Sequence, residues 1–244
     1  MEETTLKPLQ QIRDNLSEVF RGIERAAINA GREPKSIKLV VVTKKQPLEA
    51  IVAAIEFGVV YLGENYADEA IPKINGLQSY DSIKWHMIGH VQSRKAEMVC
   101  HHFDYVHSLD SLKLAMRYDR FANELGRKLP VLLQFNISGE ETKSGWDVRE
   151  ESQWPLIFPE IEIIMGLRSI DIKGVMAMPP FSDKPEDARP YYRRLVQLRD
   201  LLARQFPQLA WEELSMGMSS DYEIAIQEGA TWVRIGQAIF GPRP

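Results

Sequence analysis

The sequence predicts an α/β protein in which strands and helices alternate around one closed (β/α)8 barrel. Eight apolar, β-branched stretches predict strands, and stretches with helical spacing of apolar residues separate them. Eight such units in 244 residues match the usual length of this barrel. No Gly-x-Gly-x-x-Gly follows the first strand, and the last strand runs almost to the carboxyl terminus. Both features favour closure over the competing doubly wound open sheet.

An amphipathic helix is the first predicted element. Leu9, Ile12, Leu16 and later apolar residues step by three and four, which predicts a helix over about 8–30 that ends near Gly31. A closed barrel would leave the groove beside its last strand uncovered. We expect the amino-terminal helix to fill that groove, in place of a missing eighth helix.

The remaining elements follow in strict alternation. Strands are predicted at 38–43, 59–63, 83–88, 103–108, 130–137, 171–177, 211–216 and 232–240. Helices are predicted at 47–57, 66–74, 93–100, 111–125, 155–165, 186–206 and 221–228. The polar sequence over 138–154 predicts a long loop after the fifth strand. Pro155 and Pro159 interrupt the helix predicted after it. The absence of a linker or a clear repeat predicts one domain over 1–244.

Composition excludes several classes of function. The formal net charge is −4 and the pI is near 5.8, so no global basic field favours nucleic acid. No apolar run approaches the roughly 18 residues of a membrane span. Cys100 is the only cysteine, which excludes an intrachain disulfide and fits a reducing cytoplasm. We therefore expect a cytoplasmic protein that uses neither nucleic acid nor a membrane as its main partner.

The most informative stretch places a lysine where the first strand ends. Val40-Val41-Val42-Thr43-Lys44-Lys45-Gln46-Pro47 is apolar and β-branched until a proline closes it. In parallel α/β proteins ligands bind at this edge of the sheet, and a lysine in a low-dielectric site can attack a carbonyl as a Schiff base. Lysines also end strands simply to reach water. Strand alternation would direct Lys44 and Lys45 to opposite faces, and the sequence alone does not choose between them.

Two later loops predict a phosphate site. Small and hydroxyl residues over 214–221 follow the seventh strand, and Gly236 follows Arg234 at the end of the eighth. In such barrels the loops after these two strands commonly bind phosphate, and amides at a helix start favour an anion. The alternative, which needs no ligand, is that Ser219 or Ser220 caps a helix.

Asn65 and the histidines raise further possibilities. Asn65 follows the second strand, where it would hold a ring hydroxyl or, as we prefer on the sequence alone, cap a helix. His86 and His90 span the end of the third strand, but no spaced carboxylate pair completes a zinc site, and we predict none. A nucleophile elbow and a P-loop are absent from the sequence.

Several motifs together match one known family. The chain resembles the pyridoxal phosphate homeostasis proteins, also called the proline synthetase co-transcribed family, over about residues 8–242. The motifs are Val42-Thr43-Lys44, Gly63-Glu64-Asn65-Tyr66, Trp85-His86-Met87-Ile88-Gly89-His90-Val91-Gln92-Ser93-Arg94-Lys95, Lys143-Ser144-Gly145, Gly174-Val175-Met176-Ala177-Met178-Pro179, Ser215-Met216-Gly217-Met218-Ser219-Ser220-Asp221 and Val233-Arg234-Ile235-Gly236. This resemblance implies a single TIM barrel similar to the N-terminal domain of alanine racemase, carrying pyridoxal 5'-phosphate (PLP).

The resemblance also implies roles for individual residues. Lys44 resembles the lysine that forms the internal aldimine, and Arg234 resembles the partner of the pyridine nitrogen. The positions that resemble the phosphate site are Ser215, Gly217, Ser219, Gly236 and Gln237, and those that resemble the ring lining are Asn65, His86 and Met216. The family usually has Ser where Thr43 stands and often Thr or Ser at Gln237, which leaves that side-chain contact in doubt.

The function implied by the resemblance is intracellular PLP homeostasis and amino- and keto-acid balance, without robust catalysis. An arginine at the pyridine nitrogen cannot supply the proton that makes PLP a strong electron sink. Racemases of this fold add a second domain and a tyrosine from a partner subunit, which we do not expect here. The alternative is a PLP-dependent amino-acid racemase or lyase, and a cofactor-free Schiff-base aldolase is a third class. The implied partners are PLP-dependent apo-enzymes or a regulatory protein, and the implied state is a monomer or weak dimer.

Overall fold

Nine strands form one parallel sheet within residues 3–242, the part of the chain that the computed structural model describes. In chain order they are β1 (Lys38–Val42), β2 (Tyr61–Glu64), β3 (Lys84–Met87), β4 (Tyr105–Leu109), β5 (Leu129–Asn136), β6 (Trp146–Asp147), β7 (Ile170–Ala177), β8 (Glu213–Ser215) and β9 (Trp232–Ile235). Eight of them close a ring, in the order β1, β2, β3, β4, β5, β7, β8, β9 and back to β1. The two-residue β6 pairs with β5 outside this ring.

The pairing of β9 with β1 decides between the two predicted architectures. Lys38 aligns with Trp232 and Val41 with Ile235, in parallel register. β4 and β5 also pair in parallel, so the ring has no open edge between them. The closed barrel is therefore confirmed, and the doubly wound open sheet is wrong.

Helices follow most strands, as the alternating pattern predicts. They are α1 (Glu3–Asn29), α2 (Leu48–Glu56), α3 (Ala67–Gly76), α4 (Ala96–His102), α5 (Leu112–Glu124), α6 (Phe158–Met165), α7 (Arg189–Gln205), α8 (Tyr222–Gln227) and α9 (Gln237–Phe240). Short 3-10 helices occupy Pro34–Ser36, Ser93–Lys95, Glu151–Ile157 and Pro185–Ala188. Among the described residues, no helix combines the length and the apolar character that crossing a membrane requires.

α1 covers the seam between the last and first strands. Its apolar stripe is buried and it packs against α2, α8 and α9. Arg13 pairs with Glu56 of α2 at 2.9 Å, and Asn15 Nδ2 donates to Ile239 O of α9 at 2.8 Å. Gly31, with φ of 66°, ends the helix where the sequence predicts. The predicted placement of the amino-terminal helix is therefore confirmed.

Two predicted boundaries differ from the structure. The strand predicted over 232–240 ends at Ile235, and α9 replaces its second half. The eighth helix is therefore short rather than missing. The predicted loop over 138–154 contains β6 and the start of the 3-10 helix Glu151–Ile157, which accommodates Pro155.

The largest core lies between the barrel wall and the helices. Alternate strand residues such as Leu39, Val41 and Leu62 are buried there. A smaller apolar cluster lies inside the barrel, where Val40, Ile88 and Trp232 pack together. The barrel interior is otherwise partly polar, because buried histidine, serine and arginine side chains project from β3, β4, β8 and β9. These interior groups lead to the site.

Candidate functional site

The candidate lysine lies in the turn after β1, at the carboxyl end of the barrel strands. β1 ends at Val42, Thr43 is fully buried, Lys44 is half-buried and Lys45 is exposed. Lys45 has φ of 60°, a left-handed conformation that is uncommon for a residue with a side chain. The two lysines differ in burial, but strand alternation is the wrong reason, because both lie past the end of the strand.

Four side chains, which we call the turn network, hold this turn: Thr43, Glu64, Glu69 and Lys73. Lys73 Nζ donates to Thr43 O and to Glu64 Oε1, each at 2.8 Å. It also donates to Glu69 Oε1 at 2.9 Å, and that oxygen accepts the backbone N–H of Lys45. The Thr43 hydroxyl donates to Glu64 Oε1 at 2.7 Å. Both neighbours of the candidate lysine are thus tied to one buried ion cluster from β2 and α3.

The charges of the turn network are set by burial and by mutual contacts. Burial raises the pKa of Glu64 above its usual value, against the lowering effect of the hydrogen bonds from Lys73 and Thr43. Burial also pushes the pKa of Glu69 upward, but the hydrogen bonds from Lys73 and the Lys45 backbone outweigh it, and the pKa is lowered. One ammonium thus serves two carboxyl groups, so its loss would leave Glu64 buried without a charged partner.

A second polar system, which we call the interior chain, crosses the inside of the barrel: His86, His107, Ser215 and Arg234. His86 Nδ1 lies 2.8 Å from His107 Nε2, and His107 Nδ1 lies 2.8 Å from Ser215 Oγ. Arg234 Nη1 donates to Ser215 Oγ at 2.5 Å, and its Nη2 donates to Ala177 O at 3.1 Å. All four side chains of the interior chain are buried.

Burial determines the protonation of the interior chain. It lowers the pKa of His86 to about 3, with a smaller contribution from the charge of Lys38. It lowers the pKa of His107 well below the usual value as well. The pKa of Arg234 falls to about 10, again mainly through burial. Both imidazoles are therefore neutral at neutral pH, whereas the guanidinium keeps its charge.

Three predicted site residues occupy unexpected positions. Ser215 Oγ is fully buried and hydrogen-bonded within the interior chain. The hydroxyl that the family resemblance assigns to phosphate therefore already has partners in the protein. The side chain of Met216 packs in the main core rather than in the smaller cluster inside the barrel. Asn65 does not cap α3, because the N-cap is Tyr66, and Asn65 Oδ1 is buried without a partner among the described residues. The preferred capping interpretation of Asn65 is therefore wrong.

The loops after β8 and β9 are held by backbone contacts. The Arg234 N–H donates to Gly217 O at 3.0 Å, which joins the two loops. Ser219 Oγ accepts the backbone N–H groups of Gly236 at 3.4 Å and of Ala238 at 3.2 Å, so it caps α9 rather than the helix after its own loop. Gln237, the first residue of α9, is exposed.

Two glycines of these loops pack closely against neighbouring residues. Gly217 has φ of 95°, and a Cβ there would lie 2.6 Å from the Cβ of Ala225. A Cβ on Gly236 would lie 3.1 Å from both the Cβ and the O of Val42. A side chain at Gly217 would therefore be both strained and crowded, whereas one at Gly236 would press on Val42.

Known proteins are similar to this chain in both sequence and fold. The alanine racemase N-terminal domain family matches residues 12–244. The pyridoxal phosphate homeostasis protein of Vibrio alginolyticus is 37% identical over 239 residues, which cover 96% of this chain and 99% of that protein. The chain belongs to the family of pyridoxal phosphate homeostasis proteins. The family resemblance in the sequence motifs is thereby confirmed.

Solved structures extend the family comparison. PipY of Synechococcus elongatus, in a structure with PLP bound, matches with a TM-score of 0.81 at 34% identity, over 94% of this chain and 100% of that chain. Alanine racemase of Clostridium difficile 630 matches with a TM-score of 0.67 at 18% identity, over 96% of this chain and 57% of that chain. The second likeness is one of fold, and it agrees with the predicted alanine racemase-like barrel.

Sequence reasoning missed three residues of these polar systems. Glu64 was present in the quoted motif, and a carboxylate at the end of a buried strand was its signal. Lys73 lies four residues after Glu69 on α3, a spacing that places the two side chains on one helix face. His107 was not assigned a role, because nothing local links it to Ser215, 108 residues away.

Proposed function

We propose that this protein binds PLP as a Schiff base on Lys44 and serves intracellular PLP homeostasis and amino- and keto-acid balance, without robust catalysis. The family membership and the PLP-bound structure of PipY support the cofactor. The observation that carries the residue assignment is the turn after β1. It holds Lys44 half-buried at the barrel mouth, while Lys45 is turned out to solvent.

The residues at the mouth fit the chemical groups of PLP. The amine of Lys44 suits the aldehyde, and the guanidinium of Arg234 suits the pyridine nitrogen as a hydrogen-bond donor. We place the phosphate at the loops containing Gly217, Ser219 and Gly236, with Gln237 at the start of α9 beside them, where the Gly236 N–H already donates to Ser219 Oγ. Asn65, whose Oδ1 is buried and unpaired among the described residues, suits the ring hydroxyl.

When bound, PLP supplies an aldehyde that condenses with an amine. Lys44 would hold the cofactor through its amine, and the aldehyde of PLP would supply the carbonyl for a Schiff base, with its oxygen lost as water. The turn network contributes by fixing the backbone on both sides of Lys44. His86 lies deeper than the mouth, so in our proposal it acts on the cofactor through the interior chain. Ser215 and Met216 act by shaping the wall of the barrel.

The residue proposed for the ring nitrogen fits weak catalysis, although arginine alone does not exclude activity. Arg234 is a permanent donor near neutral pH, because even its lowered pKa is about 10. It would hold the ring nitrogen of PLP by a hydrogen bond without giving it a proton, and the cofactor would then be a weaker electron sink. A carrier that holds a reactive aldehyde and releases it to apo-enzymes or a regulatory protein does not need a strong electron sink.

One observation favours the second candidate, a PLP-dependent racemase or lyase. His90 Nδ1 lies 2.6 Å from Asp110 Oδ2, beyond the ends of β3 and β4, and the His90 side chain is 55% exposed. A carboxylate that orients an accessible imidazole is a common arrangement for proton transfer. Rapid exchange of the α-proton of an added amino acid, lost in His90→Gln, would favour this candidate. A stable loaded protein without product favours the carrier.

The decisive variants for the proposed function are neighbours in the chain. Lys44→Ala should abolish the yellow absorbance of the purified, PLP-treated protein, because no other amine occupies its place in the turn. Lys45→Ala is the matched control and should retain that absorbance. Loss of colour in Lys45→Ala with retention in Lys44→Ala would overturn the assignment. A colourless wild type that resists PLP loading would instead favour the cofactor-free aldolase.

We also propose a cytoplasmic monomer or weak dimer that works as a single domain over 1–244. The single cysteine, Cys100, is buried, and burial raises its pKa to about 12, which suits a thiol that stays reduced and inert. Sedimentation of the PLP-loaded protein at several concentrations tests the oligomeric state. One cooperative unfolding transition by two probes tests the single domain.

A further inference from the structure

One hydrogen direction in the interior chain gives the buried Ser215 hydroxyl proton an acceptor. Arg234 has donors and no acceptors, so Ser215 Oγ accepts from it, and among the described residues His107 Nδ1 is the acceptor left for the Ser215 proton. In this direction His107 carries hydrogen on Nε2 and donates to His86 Nδ1. His86 then carries hydrogen on Nε2. The reverse direction, with hydrogen on His107 Nδ1, would leave the Ser215 proton without an acceptor, so the contacts favour one tautomer for each imidazole.

Aromatic rings and one ion pair fix the far end of the interior chain. The ring of Tyr105 is parallel to that of His86 within 3°, with centroids 5.1 Å apart, and Trp232 lies 5.0 Å away. Lys38 Nζ pairs with Glu213 Oε1 at 2.8 Å, and Glu213 also accepts the Tyr105 hydroxyl. Burial, with a smaller contribution from the charge of Lys38, lowers the pKa of both imidazoles and keeps them neutral.

A polar chain in this place needs an explanation. Barrels of this kind usually fill their interior with branched apolar side chains. Two buried imidazoles cost desolvation energy that valine or leucine would not, and a fully bonded network gains mainly in rigidity and orientation. The interior chain ends on Arg234, whose two bonds to Ser215 and Ala177 engage two of its five N–H groups. The geometry therefore serves to orient that guanidinium.

We propose that His107 is a positioning residue for the cofactor, acting through Ser215 on Arg234. This inference rests on the proposed function, in which Arg234 faces the pyridine nitrogen of PLP. A serine hydroxyl rotates freely, and alone it could turn its proton toward the guanidinium. His107 Nδ1 captures that proton, so that a lone pair of Ser215 Oγ always faces Arg234. The remaining N–H groups of Arg234 are then held toward the mouth.

Three variants separate positioning from packing. His107→Leu removes the acceptor for Ser215, whereas His107→Asn keeps an acceptor close to the position of Nδ1. Tyr105→Phe is the matched control, because it deletes a buried hydrogen bond in the same cluster and leaves the interior chain intact. Ser215→Ala breaks the chain at the next link and serves if His107→Leu folds poorly.

The readouts are the absorption maximum and the dissociation rate of bound PLP. We expect His107→Leu and Ser215→Ala to shift the absorption maximum and to release PLP about tenfold faster, the effect of one hydrogen bond. His107→Asn should recover most of both changes, and Tyr105→Phe should show neither. The double variant should release PLP no faster than either single variant, because both break one chain.

Imidazole nitrogen NMR of the PLP-free protein tests the chain itself. Hydrogen on Nε2 of both His86 and His107 is the expected result, and hydrogen on Nδ1 of His107 would overturn the inference. An unchanged spectrum and release rate in both His107→Leu and Ser215→Ala would also overturn it while leaving the proposed function intact. Failure of wild-type protein to take up PLP would overturn the proposed function, and the positioning role with it.

Discussion

The two halves of the barrel mouth are built on different physical principles. On one side, the turn that carries Lys44 is held by the charged side chains of the turn network, with Lys73 at its centre. On the other side, the loops after β8 and β9 are held by backbone bonds, close glycine packing and the oxygen of Ser219. The first half depends on charged side chains, and the second depends on closely packed backbone with a serine cap.

Because of this difference, the two halves should be destabilised by different kinds of substitution. Deleting one member of a buried ion cluster strands the opposite charge in a low-dielectric environment, so the first half should fail when a side chain is removed. Packed glycines leave no room, so the second half should fail when an atom is added.

Lys73→Met should produce the largest loss of stability. It leaves Glu64 buried without its ammonium partner, and we expect a loss of about 3–5 kcal/mol in the free energy of unfolding. Urea denaturation of the PLP-free protein measures this loss. Lys95→Met is the matched control, because Lys95 pairs with the exposed Asp68 and should cost less than about 1 kcal/mol. Equal losses in both variants would contradict the importance of the turn network.

Gly217→Ala should be the next largest perturbation. The positive φ and the contact with Ala225 together should cost at least about 2 kcal/mol of unfolding free energy. Gly229→Ala is the control, since Gly229 has φ of 106° but a Cβ there would meet only Leu214, at 3.7 Å. The difference between the two variants isolates the effect of close packing. If Gly229→Ala were as damaging as Gly217→Ala, crowding at this loop would be irrelevant.

Lys45→Gly should have a small stabilising effect. The left-handed φ of 60° costs a side-chain-bearing residue energy that glycine avoids, and the backbone N–H that donates to Glu69 is kept. After allowing for the extra freedom of glycine in the unfolded chain, we expect a gain of about 0.5–1 kcal/mol in urea denaturation. Lys45→Ala keeps the unfavourable φ and should show no gain. A destabilised glycine variant would mean that the turn is not strained.

Glu69→Gln should change the pH dependence of stability slightly. The pKa of Glu69 is lowered in the folded protein from the usual 4.5, so its contribution is present above that value and is lost as pH falls through the folded pKa. The variant lacks this contribution at every pH. Thermal melting at neutral and acidic pH should therefore show a gap between wild type and variant that narrows on acidification. A gap that widened would reverse the sign of the argument.

The fold was largely predictable from the sequence, because each barrel unit has a local pattern. Apolar β-branched runs and helical spacing placed all eight barrel strands and α1 within a few residues. The exception, the end of β9, depends on Ser219, whose oxygen caps α9 from a separate loop. That contact is tertiary, so the apolar run Ala238-Ile239-Phe240 looked like a continued strand.

The candidate site was predictable only in part, for the same reason. The strand end and Pro47 marked the turn that carries Lys44, and the glycines marked the two loops. The bonds that fix these parts join residues far apart in sequence, such as His107 to Ser215 and Lys73 to Thr43. The family resemblance implied a phosphate role for Ser215, whereas its partners His107 and Arg234 are visible only once the barrel has closed.

Borohydride reduction of the PLP-loaded protein, followed by peptide mapping, tests whether the cofactor is attached to Lys44. Reduction turns a labile imine into a stable secondary amine, so the peptide that gains the mass of the cofactor identifies the attached residue. We expect that mass on the peptide containing Lys44, and on no other lysine. Attachment to Lys45, or no attachment after loading and reduction, would contradict the account.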